Sequence, residues 1–118
     1  MSFSVQQQVI KNAKGQIKFW KPSSDGREHY HVGIWIDGRP EDLDAVDYVE
    51  YKLHPSFERP HRTSSNRKNN FSIAIWTWGM FKIEIAIYLR DGSVENIPYF
   101  LSYELPADEG DNYVAVDA

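Results

Sequence analysis

One run limits what this chain can become. Phe81, Ile83, Ile85, Ile87 and Leu89 alternate without a break with Lys82, Glu84, Ala86, Tyr88 and Arg90. Side chains on an extended backbone point to opposite faces in turn, so the run buries one face of a strand and leaves the other in water. A helix would scatter the same residues around its circumference. The pattern recurs. Phe3, Val5, Gln7 and Val9 alternate with polar positions, Val32, Ile34 and Ile36 with Gly33 and Trp35, and Val49, Tyr51 and Leu53 with Glu50 and Lys52. Phe71, Ile73 and Ile75 continue it, as do Ile97, Tyr99, Leu101, Tyr103 and Leu105, and Ile17 with Phe19 forms a short partner.

Turn signals separate these runs. Asp91-Gly92 between two alternating runs is a strong hairpin signature, and Asn12 to Gly15 reads as a second hairpin. Lys21 to Gly26 and Asp37 to Pro40 read as loops. Seven or eight short strands with almost no helical periodicity predict an all-β fold, an immunoglobulin-like antiparallel β-sandwich. The chain has no cysteine, so a true antibody-type domain with its Cys…Trp…Cys framework is excluded. The 118 residues are enough for one domain with its own core. The expected division is a single sandwich over residues 1–107 and an acidic tail over 108–118. That tail either frays or adds an edge strand through Tyr113, Val114 and Val116.

Composition removes several functions. Without cysteine there is no disulfide scaffold, thiol catalysis or thiolate zinc site. A formal charge of −4 argues against a general nucleic-acid binder. No apolar run reaches the length of a membrane span and no signal-peptide core follows Met1, so the expectation is a soluble cytoplasmic protein with no membrane partner. No nucleophile elbow, phosphate-cradling glycine loop or zinc-protease helix is present, and neither an enzyme nor a cofactor is expected.

The chemistry concentrates in two segments, Leu53-His54-Pro55-Ser56-Phe57-Glu58-Arg59-Pro60 and Trp76-Thr77-Trp78-Gly79-Met80-Phe81. If both lie at one end of a sandwich, they make a groove with aromatic walls and a rim of hydroxyl, imidazole and backbone N–H groups. Between them, from Glu58 to Asn70, the chain has almost no aliphatic residue and reads as an extended loop. It carries a basic patch of Arg59, Arg62, Arg67 and Lys68.

These two motifs, in this order and at this separation, resemble the YEATS domain, and the short loops look like its prokaryotic branch. The likeness is strong from Tyr48 to Leu89 and looser upstream, over Tyr30 to Gly38. It implies a sandwich whose loops read acylated lysine. Phe57 and Trp78 would be the walls around a flat acyl amide, and Ser56 would offer its hydroxyl to that amide. The Trp78 backbone N–H would bind the acyl carbonyl. His54, Thr77 and Gly79 would line the same site, with Phe81 and Tyr30 supporting it. The chain departs from the family pattern at Thr77, where glycine is usual, at Glu28, the position of a third pocket aromatic, at Val32, usually tryptophan, and at Asn69-Asn70, usually Pro-Pro. The implied partner is an acylated lysine peptide or protein, with an effector protein of a signalling or defence system as a further partner.

Other readings remain open at this point. His29 and His31 have metal-ligand spacing, with His54 or His61 to join them, but no carboxylate stands at a recognisable distance and no metal is expected. The acidic run Pro40 to Asp44 reads as a solvated turn. The basic patch beside Trp76 and Trp78 could grip an anionic ligand or single-stranded nucleic acid. An exposed aromatic end or an edge strand could instead serve protein assembly.

Overall fold

The alternating runs become strands stacked in two sheets. The structure is a computed structural model and describes residues 2–23 and 26–117. Ser24 and Asp25 of the expected Lys21–Gly26 loop lie outside the described residues, as do Met1 and, at the end of the acidic tail, Ala118. In chain order the elements are β1 (Ser4–Val9), β2 (Ile17–Trp20), β3 (His29–Asp37), α1 (Pro40–Asp44), β4 (Val46–Lys52), β5 (His61–Ser64), β6 (Ile73–Thr77), β7 (Phe81–Leu89), β8 (Val94–Leu101) and β9 (Tyr113–Ala115). The four-stranded sheet runs β5-β4-β7-β8, and the other sheet is built around β3. This is the expected immunoglobulin-like sandwich, with nine strands among the described residues rather than seven or eight.

β3 organises its sheet. Its Val32 pairs with Val9 and with Ile75, and its Tyr30 pairs with Phe19 and with Thr77. A strand has two edges, so β1 and β2 must share the edge opposite β6 and lie end to end along it. Between them the chain makes an excursion closed by a Lys11–Ile17 bridge. Asn12 to Gly15 is the hairpin turn at the tip of this excursion, with the Asn12 N–H donating to the Gln16 carbonyl at 2.9 Å, although β1 and β2 themselves form no ladder with each other. β9 then pairs with β2 in parallel, Ile17 to Tyr113 through Phe19 to Ala115. The tail thus adds an edge strand, and that pair is the exception to an otherwise antiparallel ladder.

The core is the inward face of these strands. Val32, Ile34 and Ile36 of β3 are buried against Val49 and Tyr51 of β4 and Ile83, Ile85 and Ile87 of β7. Full burial of each such aliphatic side chain contributes about 1.5–3 kcal/mol before entropy is counted. Val46 faces the same core although it lies three residues from Val49, because a bulge between Val46 and Tyr48 resets the alternation. At Asp91-Gly92 the chain turns tightly between β7 and β8. Gly92 has φ 90°, and the Asp91 carboxylate accepts from the Ser93 backbone N–H and hydroxyl.

Two segments differ from the sequence reading. The Pro40–Asp44 run is a single helical turn, solvated at Pro40, Glu41 and Asp44 only. Pro40 opens it with a preset φ, and Leu43 and Asp42 are buried beneath it. The Glu58–Asn70 stretch is not one extended loop either. It holds β5, whose His61 and Ser64 pair with Lys52 and Val49, and a 3-10 turn at Arg67–Asn69. Backbone pairing needs no aliphatic side chain, and polar residues are usual on an edge strand. Where this segment crosses between sheets, Asn70 and Phe71 both adopt φ 58°. Left-handed geometry is costly for a bulky residue. Here the Tyr51 hydroxyl donates to the Phe71 carbonyl at 2.6 Å, and the Phe71 N–H donates to the Asn66 carbonyl at 2.9 Å. Burial pushes the Tyr51 phenol pKa above its ordinary value.

Candidate ligand-binding site

Strand register brings three connections to one end of the sandwich. Lys52, the last residue of β4, pairs with Glu84 near the start of β7, so the 53–60 loop and the β6–β7 turn are neighbours. Tyr30 pairs with Thr77, which places the segment before β3 at the same end.

A cleft of about 170 Å³ opens there, lined by His54, Ser56, Phe57, Thr77, Trp78, Gly79, Met80 and Phe81. Seven of these were named from sequence; Met80, which is exposed, was missed. Phe57 rests on Phe81 with ring centroids 5.1 Å apart, and His54 meets the edge of Phe81 at 6.5 Å. Phe81 thus backs both loop residues from the core side. Trp78 stands half exposed, at 51%. The Arg27 guanidinium lies over its ring, 4.1 Å from the centroid, a contact nothing in the sequence pattern marked. Tyr30, expected to support the cleft, does not line it. It packs on the core side against Tyr103 and Tyr113, and its hydroxyl donates to the Glu28 carboxylate at 2.6 Å. Burial, and then that carboxylate, raise the pKa of the Tyr30 phenol.

The polar atoms have defined roles. The Ser56 backbone N–H donates to His54 Nδ1 at 3.1 Å, and Ser56 Oγ lies 2.7 Å from the same nitrogen. A backbone N–H can only donate, so Nδ1 is unprotonated and the imidazole proton sits on Nε2. A Ser56 hydroxyl turned to Nδ1 shares that nitrogen's single lone pair with the N–H and keeps its own oxygen lone pairs to accept. Thr77 is buried, and its Oγ1 donates to the Gly79 carbonyl at 3.1 Å while accepting from the Gly79 N–H at 3.3 Å. The side chain that replaces the usual glycine therefore ties the turn that presents Trp78.

A second cleft, of about 460 Å³, shares Ser56, Phe57 and Trp78 with the first. It continues past Glu58 and Arg62 to Ala74, Ile75, Trp76, Trp20 and His29. Sequence reasoning missed it as a cleft, although alternation already places Trp76 on the face opposite Ile75. On that outer face Trp76 stacks on His31 at 4.6 Å and 8°, with Lys18 Nζ 3.2 Å from His31 Nδ1. Burial, then the Lys18 charge, lower the His31 pKa.

The residues of the basic patch do not converge. Arg67 pairs with Asp44 at 2.9 Å, whereas Arg59 and Arg62 line a further cleft of about 390 Å³ with His61, Thr63, Ile73 and Ala74. Lys68 is on the 3-10 turn, where its N–H donates to the Asn66 side chain. Among the described residues no three His, Cys, Asp or Glu side chains are grouped to hold a metal ion, and no helix is long and apolar enough to cross a membrane.

The fold and its recessed aromatic cleft define a class: an immunoglobulin-like β-sandwich with a site built between loops at one end. The prokaryotic YEATS domain profile matches residues 30–102, more than half of the chain, and the chain belongs to that family. It is 46% identical over 66 residues to transcription initiation factor TFIID subunit 14 of Schizosaccharomyces pombe, a match covering 56% of this chain and 26% of the relative. The chain therefore spans about a quarter of that relative's length. The Yaf9 YEATS domain bound to H3K27ac superposes with a TM-score of 0.60 at 22% identity, covering 88% of this chain and 71% of the other. The Yaf9 YEATS domain recognising an H3K122suc peptide gives 0.59 at 19%, covering 85% and 69%. At these identities the structural likeness is one of fold.

Proposed function

We propose that this domain is a non-catalytic reader that takes an acylated lysine side chain between Phe57 and Trp78. The observation that carries the reading is the Ser56–His54 arrangement inside an aromatic cleft. It holds the Ser56 oxygen ready to accept a hydrogen bond. An acylated lysine offers an amide N–H to that oxygen and a flat amide to the rings. An unmodified lysine would bring a charge to a cleft lined by no carboxylate and would lose its hydration uncompensated. The Yaf9 structures with acetylated and succinylated histone H3 support this ligand class. The Arg27 guanidinium over the Trp78 ring adds a further stacking group at that wall.

We read the site as one that binds without reaction. Ser56 and His54 are close enough for a dyad, but among the described residues no acid pairs with His54 to orient it. The target is a modified lysine on a peptide or protein, and an effector protein of a signalling or defence system is the further partner. An anionic ligand held by the whole basic patch is less well supported, because Arg67 is already paired with Asp44. Titrating a panel of Nε-acylated lysine peptides against the unmodified peptide tests the reading. Selective binding with NMR shifts at Ser56, Phe57 and Trp78 is expected. Equal affinity for the unmodified lysine would overturn it.

A further inference from the structure

The two sheets meet along an open seam on one side, between the edge strands β5 and β6. Each has a single ladder among the described residues, β5 with β4 and β6 with β3, so β6 presents an unpaired backbone edge. The larger cleft follows this edge past Ala74, Ile75 and Trp76 and ends at Trp78. The neighbouring cleft takes over at Ala74 and Ile73 and is lined on its other side by Arg59, Arg62 and His61. Arg62 pairs in register with Tyr51, whose side chain is buried, so Arg62 projects from β5 on the inward side, into the seam.

Arg59 and Arg62 lack counter-ions. No carboxylate lies within ion-pair distance of either among the described residues; Arg62 Nε donates only to the Arg59 carbonyl, at 2.7 Å. Elsewhere Arg67 pairs with Asp44, Arg39 with Asp42, Lys82 with Glu84 and Lys21 with Glu28. Burial and the adjacent Arg59 charge lower the Arg62 pKa, and a nearby anion would offset the repulsion between the two cations. Glu58 lines the larger cleft together with Arg62, whereas the neighbouring cleft is lined by Arg59, His61 and Arg62 and by no carboxylate, which favours an anion there.

We infer that the ligand is an extended peptide that adds as a strand to the free edge of β6, with its acylated lysine in the Phe57–Trp78 slot and an acidic side chain in the seam against Arg59 and Arg62. The inference rests on the acyl-lysine reading and specifies the sequence that surrounds the modified residue. Main-chain pairing to a sheet edge supplies affinity without sequence preference, and the alternating side chains supply the preference. Ala74 lies four residues before Trp78. At about 3.3 Å per residue, the acidic side chain falls roughly four residues from the acylated lysine. Strand addition can run either way, so the acid stands on one side of the lysine only.

The test uses acetyl-lysine peptides with Glu, Gln or Lys four residues before or after the modified lysine, beside the capped acetyl-lysine amino acid alone. One Glu peptide should bind about fivefold more tightly than its Gln counterpart, and the ratio should shrink as salt is raised. Arg62→Gln and Arg59→Gln should each bring that ratio towards unity. Backbone amides of β6 should exchange more slowly with the long peptide and not with the amino acid alone. If Glu, Gln and Lys peptides bind equally, the inference falls and the reader stands. If no acylated ligand binds, both fall. If a single-stranded oligonucleotide displaces the peptides and loses affinity in Arg62→Gln, the seam is a nucleic-acid groove and the inference is overturned.

Discussion

The two long seams of the sandwich are finished with different chemistry. On one side Gln7 of β1 reaches across to the segment at the end of β8. Its Oε1 accepts from the Tyr99 hydroxyl at 2.8 Å and the Ser102 N–H at 3.3 Å, and its Nε2 donates to the Ser102 carbonyl. Every polar atom of that side chain has work inside the fold. On the other side Arg62 enters the seam with no carboxylate partner among the described residues, in a cleft it shares with the small Ala74. A seam whose polar groups are satisfied from within holds the sheets together. A seam that leaves cations unpaired and a strand edge uncovered has capacity for something else. The aromatic slot lies where the second seam reaches the loop end, sharing Trp78 with the cleft that follows β6.

The largest effect separating the two sides is expected at Trp78. Trp78→Ala should weaken an acylated peptide by more than about tenfold, because a half-exposed ring that stacks on ligand contributes to binding far more than to folding. Thermal melting should be nearly unchanged; a large drop would make Trp78 a packing residue and blur the distinction. Next comes a pair of substitutions. Gln7→Ala should cost about 1 kcal/mol of stability, from the lost part-buried bond to Tyr99 and the bridge to Ser102. Arg62→Gln should stay within about 0.5 kcal/mol. Urea midpoints for the two variants decide this, and reversed magnitudes would break the comparison.

The smallest effect belongs to neither seam. His31 lies on the outer face, and its folded pKa is below the ordinary histidine value because burial and Lys18 disfavour its charge. The unfolded chain takes up this proton first as pH falls. Stability should therefore be flat above about pH 6.5 and decline below it until the folded-state pKa is reached. His31→Phe should flatten that limb of the pH–stability profile, and an unchanged limb would assign it to other groups.

The fold was legible because alternation reports burial directly. Ile83, Ile85 and Ile87 occupy the core as their spacing requires. Strand order was harder to read. Nothing in Ile17 or Phe19 announces that β2 continues the same edge as β1, because two collinear strands look like any two strands. β5 was hidden for a different reason: pairing is made by backbone, and His61 to Ser64 carry no apolar side chain and only one β-branched residue, Thr63, to signal a strand. At the site, the loop residues were visible as motifs, whereas Tyr30 was named only through the looser upstream resemblance and faces Tyr103 and Tyr113. Arg27 over Trp78 and the cleft along β6 arise from tertiary approach between segments about fifty residues apart, which no local spacing encodes.

The excursion between β1 and β2 has a practical consequence. Its tip is closed on itself: Asn12 Oδ1 accepts from the Lys14 and Gln16 N–H groups, Gly15 turns at φ 76°, and residues 13–15 are exposed. None of these residues lines any of the clefts described above. The ladder on either side is held by β3 and does not depend on the tip. Extra chain spliced in there would leave strand register intact. It is the natural point at which to graft a fluorophore tag or a second binding module while keeping the loop end unobstructed.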